Sequence, residues 1–595
     1  MKYPTLTELP TSRQMVDVFG GYNHNLRISD SEFYDMKNMS STHYPVLSPR
    51  GQRGVYAEPN SPQGMIAKDT LCYVDGTDFV MDGYRVAMNL STQEEDCPKR
   101  LVSMGAYVII LPDKKYINTA NITDHGDIEA SFTTASPVTF SLCSLDGADY
   151  NAQTGASEPE NPKNAEYWVD TSSVPHSLKV WSESSGMWST IGTTYIKITS
   201  AGIGASFNQY DGVNISGLKG VELIDNSSGN VVHDADDIEA LDGSFVVWAK
   251  GNDFIVVVGM LDTTRTLKNA VTIRRAMPSM DFVVESENRL WGCRYGTDVN
   301  GNVVNEIYAS KLGDFKNWNC FMGISTDSYA ASVGTDGQFT GAITHLGYPL
   351  FFKETCLHKI YGNMPSNYQI QTTACRGVQK GCDRSLAIVN EILYYKSRSS
   401  VCAYDGSLPA EMSAQLGDVV YSDAVAGSHG NKYYISMKDV TDVFHLFVYD
   451  TSKGMWHKED NTQVDAFCSC RGEMYYIDHA DRKIKTMLGS GTLDTLPVEW
   501  MADTGVLTTT MPDKKYISRL TIRMALDIGT RVHIYAEYDS SGAWEHLFTM
   551  TGNNLRSFAV PIRPKRCDHL RLRFMGEGDA KIYSIVKTIE QGSDY

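Results

Sequence analysis

Six arginines fall across the middle of the chain: Arg274, Arg275, Arg289, Arg294, Arg376 and Arg398. If they converged with a Tyr and a Glu partner at the centre of a propeller, such a set would make a glycosidase site. Spacing by itself does not show convergence. A second device could accompany it, the turn running from Tyr449-Asp450 through Ser452 and Gly454 to Trp456, with near copies from Trp181 to Trp188 and from Tyr538 to Trp544. Gly supplies positive φ, Asp and Ser bond the turn backbone, and the flanking aromatics can meet across the strands.

These turns resemble the Asp-box turns of sialidases but lack the Ser-x-Asp-x-Gly-x-x-Trp order, so they read as hairpins. No GxxxxGK[ST], HExxH or GxSxG motif occurs. His345 and His358 come nearest to a histidine constellation, and isolated strand histidines are usually structural. Asp234, Asp236, Asp237 and Glu239 could hold a hard cation through oxygen ligands, although a solvated loop is the simpler reading. Arg563-Pro564-Lys565-Arg566, with Arg571 and Arg573, forms the notable basic cluster. On an alternating strand Arg571 and Arg573 would share one face while Leu570, Leu572 and Phe574 pack on the other, which suits ion pairing to an acidic neighbouring subunit. Catalytic, cofactor-binding and metal-ligating residues are therefore all expected to be none, and the chain is expected not to be an enzyme.

Twelve cysteines are scattered without a CxxC pair, which suits buried free thiols and synthesis in a reducing cytoplasm. The start, MKYPTLTELP, lacks a signal-peptide pattern, and no apolar run is long enough to span a membrane. A net charge of −18 disfavours a sequence-reading DNA binder, while an acidic surface can serve beside DNA that must pass without sticking.

The elements that would position these residues announce themselves by repetition. Leu350-Phe351-Phe352, Leu393-Tyr394-Tyr395, Tyr433-Tyr434-Ile435 and Met474-Tyr475-Tyr476 have middle residues 43, 40 and 41 positions apart. That is the length of one four-stranded propeller blade, and each copy reads as an inner strand. Leu71-Cys72-Tyr73, Tyr107-Val108-Ile109 and Leu290-Trp291-Gly292 extend the series to seven copies. The spacing predicts an all-β chain: a β-propeller of about seven blades, six to eight being possible, with an inserted β-domain and a C-terminal β-sandwich.

The expected divisions are 1–60, an N-terminal arm and first strand; 61–124, the first part of the propeller; 125–265, an inserted β-rich domain; 266–492, the second part of the propeller; and 493–595, the sandwich. Asp75-Gly76 and Asp82-Gly83 mark hairpin turns in the second of these. The polar stretch GADYNAQTGASEPENPKNAEYW marks a loop in the third.

Three groups of residues carry a family resemblance. The opening holds Phe19-Gly20-Gly21-Tyr22-Asn23, Ser31 through Asn38 and Tyr44-Pro45-Val46-Leu47-Ser48-Pro49-Arg50. The middle holds Gly381-Cys382-Asp383-Arg384-Ser385 and Tyr404 through Pro409, and the end holds Arg566 through Phe574. In this order they resemble tailed-bacteriophage propeller proteins of the head-to-tail junction, the packaged-DNA stabilization or tail nozzle proteins. The resemblance implies a structural virion protein in a closed ring, hexameric or dodecameric, at the neck or tail. It would contact the portal, its adaptor and other tail proteins, help retain packaged DNA and conduct it during ejection. It implies no cofactor, no membrane, non-specific passage of viral DNA, and assembly in the host cytoplasm. The alternative is a tail-associated host-recognition propeller whose insertion or sandwich binds glycan, which exposed aromatic platforms on those domains would favour.

Overall fold

The computed structural model describes residues 11–92, 99–135, 137–220, 223–225, 231–232, 236–298, 301–493, 496–507, 514–552, 554–563 and 565–591. Seven sheets make the propeller, six with four antiparallel strands in sequence order and the seventh with five, where a strand from the chain's beginning stands between the third and the last. Blade 1 covers 62–87, blade 2 covers 100–127, blade 3 covers 282–332, blade 4 covers 341–374, blade 5 covers 387–411, blade 6 covers 421–458 and blade 7 begins at 464. The first strand of each blade lies beside the first strand of the next, with the turn Asp383–Ser385 standing between blades 4 and 5. The same adjacency joins blade 7 to blade 1 and closes the circle.

The repeated aromatic triplets lie in the second strand of each blade, hydrogen-bonded on both edges. A strand paired on both sides and packed on both faces reads as a continuous apolar run, which is why the blade period is visible in the sequence. Leu350, Phe351 and Phe352 are all fully buried, and so are Tyr395, Tyr433 and Ile435.

Blade 7 takes its fourth strand from the beginning of the chain. Ile484–Thr486 pairs with Gly54–Ala57, which in turn pairs with Thr492–Leu493. The first sixty residues are in fact shared between two units, because Thr11–Val16 and Phe33–Lys37 are strands of the C-terminal sandwich. One sheet orders Thr11–Val16, Ala580–Gln591, Lys515–Leu526 and Arg556–Val560. The other orders Phe33–Lys37, Glu499–Thr504, Leu570–Glu577, Arg531–Tyr538 and Trp544–Thr551. One apolar core runs without a break from blades 4 to 6 through Phe19, Tyr22 and Met36 into Trp500, Leu572 and Phe574 of the sandwich.

The insertion leaves the propeller after blade 2 and has its own core around Phe140, Ile198, Val257 and Ile273. It extends past residue 265, because Thr272–Arg275 pairs with Ala130–Thr133. Beside a seven-stranded and a four-stranded sheet stands a second four-stranded one made of Ala152–Gly155, Tyr167–Asp170, Ser177–Ser182 and Met187–Thr190.

Candidate functional site at the propeller axis and the sandwich junction

The first strands of the seven blades enclose a cavity of about 290 Å³ on the axis, with Arg100, Phe282, Asp383, Arg384, Leu386 and Phe467 among its lining. Arg100 opens the first strand of blade 2, and Asp383 precedes that of blade 5, across the circle. Their side chains meet at 3.0 Å. The Arg100 guanidinium lies 4.3 Å above the Phe282 ring and donates to the Asp281 carbonyl at 2.6 Å. Arg384 donates to the Asp465 carbonyl of blade 7 at 2.6 Å. One salt bridge, one cation–π contact and bonds to backbone carbonyls thus cross the axis.

The same cavity gathers further charge. Lys99 reaches the Asp113 carboxylate at 2.5 Å and the Ser91 hydroxyl at 2.6 Å. Burial works against the Asp113 carboxylate, yet the bonds from Lys99 and Ser91 outweigh it and hold its pKa below the usual value. Burial dominates at Asp281 and raises its carboxyl above the usual range, despite the Tyr295 N–H that it accepts and nearby Arg294 and Arg100. Asp281 lines a second pocket of about 270 Å³ together with Arg100, Pro112, Met277 and Met280. Arginine and carboxyl groups gathered round a pocket of this size are an arrangement able to bind polar ligands.

None of the six arginines singled out by sequence lines this cavity. Arg275 pairs with Asp211 at 2.6 Å inside the insertion, and Arg274 is exposed on the same strand. Arg289 donates to the carbonyls of Ser310, Asp327 and Ser325, and Arg294 donates to that of Thr297. Arg376 pairs with Glu411 at 3.0 Å, and Arg398 is exposed. Arg100 and Arg384 hold the axial positions instead. Their signal was positional: each stands where a blade's first strand is about to begin.

His345 and His358 do not meet at a common ligand. His345 faces the Glu391 carbonyl at 2.6 Å, whereas His358 sits between the Thr335 and Thr372 hydroxyls. Burial first, then Lys353, lowers the His358 pKa to about 4. Among the described residues no group of three metal-ligating side chains forms. Asp234 and the side chains of Asp236 and Asp237 lie outside the described residues, as does Pro564 of the basic cluster. Arg571 and Arg573 share a face as their alternation required, but their acidic partners are in the same chain, which corrects the expectation of a neighbouring subunit. Arg573 pairs with Asp503 at 2.6 Å and Arg571 with Glu537 at 3.6 Å.

The segments from the chain's opening and end meet elsewhere, at the junction of propeller and sandwich. Tyr22 donates its backbone N–H to the Trp456 carbonyl at 2.6 Å. The backbone of Gly21 runs so close that an added Cβ would stand 2.1 Å from that carbonyl oxygen. Asn38 adopts positive φ, donates its amide to the Glu499 carbonyl at 2.7 Å and accepts from Arg50 at 2.9 Å. Arg50 and Arg53 face Glu459 and Asp460, with Arg53 2.6 Å from Glu459 and 3.0 Å from Asp460.

Rings continue the junction in an unbroken stack. Arg573 lies 4.1 Å from the Trp544 ring, and Arg571 lies 5.7 Å from Trp544 and 4.7 Å from Tyr34. Tyr34 stacks on His24 at 4.2 Å, His24 on Tyr22 at 5.8 Å, and Tyr22 meets Phe447 at 5.5 Å. Phe447, Trp456, Tyr449 and Tyr394 carry the stack on into blades 6 and 5. Of the three Asp–Trp turns, two bring their flanking aromatics together, Tyr449 with Trp456 at 5.0 Å and Trp181 with Trp188 at 5.4 Å. In the third, Trp544 turns to the arginines.

No known family matches the sequence, and no curated protein matches it. Solved structures that it is similar to include an arabinoxylan arabinofuranohydrolase of glycoside hydrolase family 43 from Bacillus subtilis. That likeness has 8% identity, 52% of this chain and 94% of that one covered, and a TM-score of 0.18. An exo-β-1,3-galactanase from Phanerochaete chrysosporium has 9% identity, 51% and 94% coverage and a TM-score of 0.19. A Trypanosoma rangeli sialidase has 8% identity, 97% and 95% coverage and a TM-score of 0.21. The likeness is one of fold alone, a β-propeller. These neighbours are hydrolases by their names, whereas this chain was expected not to be an enzyme. The lack of familiar motifs does not support that exclusion, and it is withdrawn.

Proposed function

We propose that the chain is a ring-forming structural subunit at the neck or tail of a tailed phage, where it helps retain packaged DNA and conducts it during ejection. The observation that carries this reading is where the resembling residues lie. Phe19 through Asn23, Ser31 through Asn38, Tyr44 through Arg50 and Arg566 through Phe574 fall at or beside the junction that joins propeller to sandwich in one core, while Asp383 and Arg384 of the middle group line the axis. A part that bears the pressure of packaged DNA needs its two units to move as one block.

The propeller's own axis is not the conduit in this reading. Its cavity has the volume of a small-molecule site, and Arg100 and Asp383 close it. DNA would pass instead through a lumen enclosed by several copies, whose acidic surfaces, with −18 per chain, repel it weakly and keep it mobile. Electron micrographs of the purified protein and of virions test the proposal. A sixfold or twelvefold ring at the neck is the expected result; a protein that stays monomeric and is missing from virions overturns it.

A further inference from the structure

The second four-stranded sheet of the insertion packs one face against the rest of the insertion and carries a cluster of tryptophans on the other. Its register sets Gln153 beside Trp168, Trp168 beside Lys179, and Trp181 beside Trp188. Because strand side chains alternate, Trp168, Asp170, Lys179, Trp181 and Trp188 share one face, and Tyr167, Val169 and Leu178 point to the other. The second face packs against Leu142 and Met260 of the insertion. The tryptophan face joins no apolar cluster among the described residues.

The indoles support one another. Trp188 meets Trp168 at 5.5 Å and Trp181 at 5.4 Å, both edge to face. Trp168 is buried and donates its Nε1–H to the Gly155 carbonyl at 2.9 Å, while Trp181 and Trp188 stay half-buried. The Lys179 ammonium stands 4.8 Å over the Trp168 ring and 2.7 Å from the Asp170 carboxylate. Gln153 and Thr190, both exposed, flank the rings.

We propose that this face binds a neutral glycan, with a pyranose ring laid on the indole of Trp181 or of Trp188, each of which props the other edge to face. A sugar ring is apolar on its C–H face and carries hydroxyls around its rim, so it needs a flat aromatic surface bordered by fixed donors and acceptors. Either half-buried indole offers the first, and Gln153, Lys179 and Thr190 offer the second. Lys179 and Asp170 cancel in charge, which favours an uncharged ligand over an anionic one. A second copy of the chain fits less well, since two half-buried indoles fall far below the roughly 800 Å² per partner of a stable protein interface. This site is independent of the proposed ring.

The test is a glycan array of neutral and acidic oligosaccharides probed with the full chain, its Trp181→Ala and Trp188→Ala variants, and Trp188→Phe as a variant that keeps an aromatic ring. Circular dichroism and sedimentation velocity accompany each protein. The expected result is retention on neutral glycans, weakened at least about tenfold by either alanine and less by phenylalanine, as for an aromatic anchor. The proposal is overturned by retention on none, by retention confined to acidic glycans, or by retention that the alanine variants leave unchanged. A shift from oligomer to monomer on Trp188→Ala would also overturn it, because the face would then be a contact between copies.

Discussion

Arg100 and Asp383 come from blades on opposite sides of the circle and join at 3.0 Å over the axis, so one ion pair ties together two walls that share no hydrogen-bonded strand edge. Side-chain exposures of 36% and 20% put it in partial contact with solvent. A double-mutant cycle of Arg100→Ala and Asp383→Ala should therefore give a coupling of about 0.5–1 kcal/mol, weakening with added salt. A coupling of zero at low salt would mean that the axis is not closed by this pair in solution.

Arg53 should matter far more. It is buried between Glu459 and Asp460, next to the strand that completes blade 7. Arg53→Ala leaves the buried Glu459 without its closest partner and should cost about 3–5 kcal/mol in denaturant unfolding. Replacing Arg53 and Glu459 together by methionine should cost less than the single change, and the opposite order would refute the assignment.

Gly21 controls whether the two units melt together. The Cβ of Gly21→Ala would stand 2.1 Å from the Trp456 carbonyl oxygen, so the arm must shift away from blade 6. Overpacking of this kind costs about 1–3 kcal/mol. Calorimetry should show one transition for the native chain and two for the variant.

Acid should loosen the propeller before it protonates most carboxylates. Burial lowers the His457 pKa to about 3 and the His358 pKa to about 4, against an ordinary value of 6.5. Between those values the unfolded chain binds more protons than the folded one. The stabilisation from the neutral histidines is thus full above pH 6.5 and declines as pH falls toward the folded values, with a slope of up to about 1.4 kcal/mol per pH unit for each. His457→Asn should flatten the slope of unfolding free energy between pH 6 and 4, and an unchanged slope would exclude His457 as its source.

The blades were legible because their second strands are buried on both faces, so Phe351, Tyr394, Tyr434 and Tyr475 repeat as apolar runs. The sandwich strands were legible for a different reason, the alternation seen in Leu570–Glu577. The arm was not. Thr11–Val16 and Phe33–Lys37, TSRQMV and FYDMK, hold too few apolar residues in alternation to declare a strand, and only partners from residues 499 onward make them one. The axial site was hidden as well, since nothing local brings Arg100 to Asp383; closure of the circle does. Six arginines drew attention by type, and their actual partners, mostly backbone carbonyls and nearby carboxylates, are a property of three-dimensional packing.

Pairing of Thr11–Val16 with Ala580–Gln591, and of Gly54–Ala57 with blade 7, bears on biosynthesis. As the chain leaves the ribosome these early strands have no partner, and they must wait until residues 484–591 have been made. Contacts this distant in sequence are slow to form and leave strand edges unpaired meanwhile. A product that stops before residue 484 therefore lacks both the latch of the circle and the sandwich strands that follow. Synthesis of residues 484–591 thus acts as a quality check on both units at once.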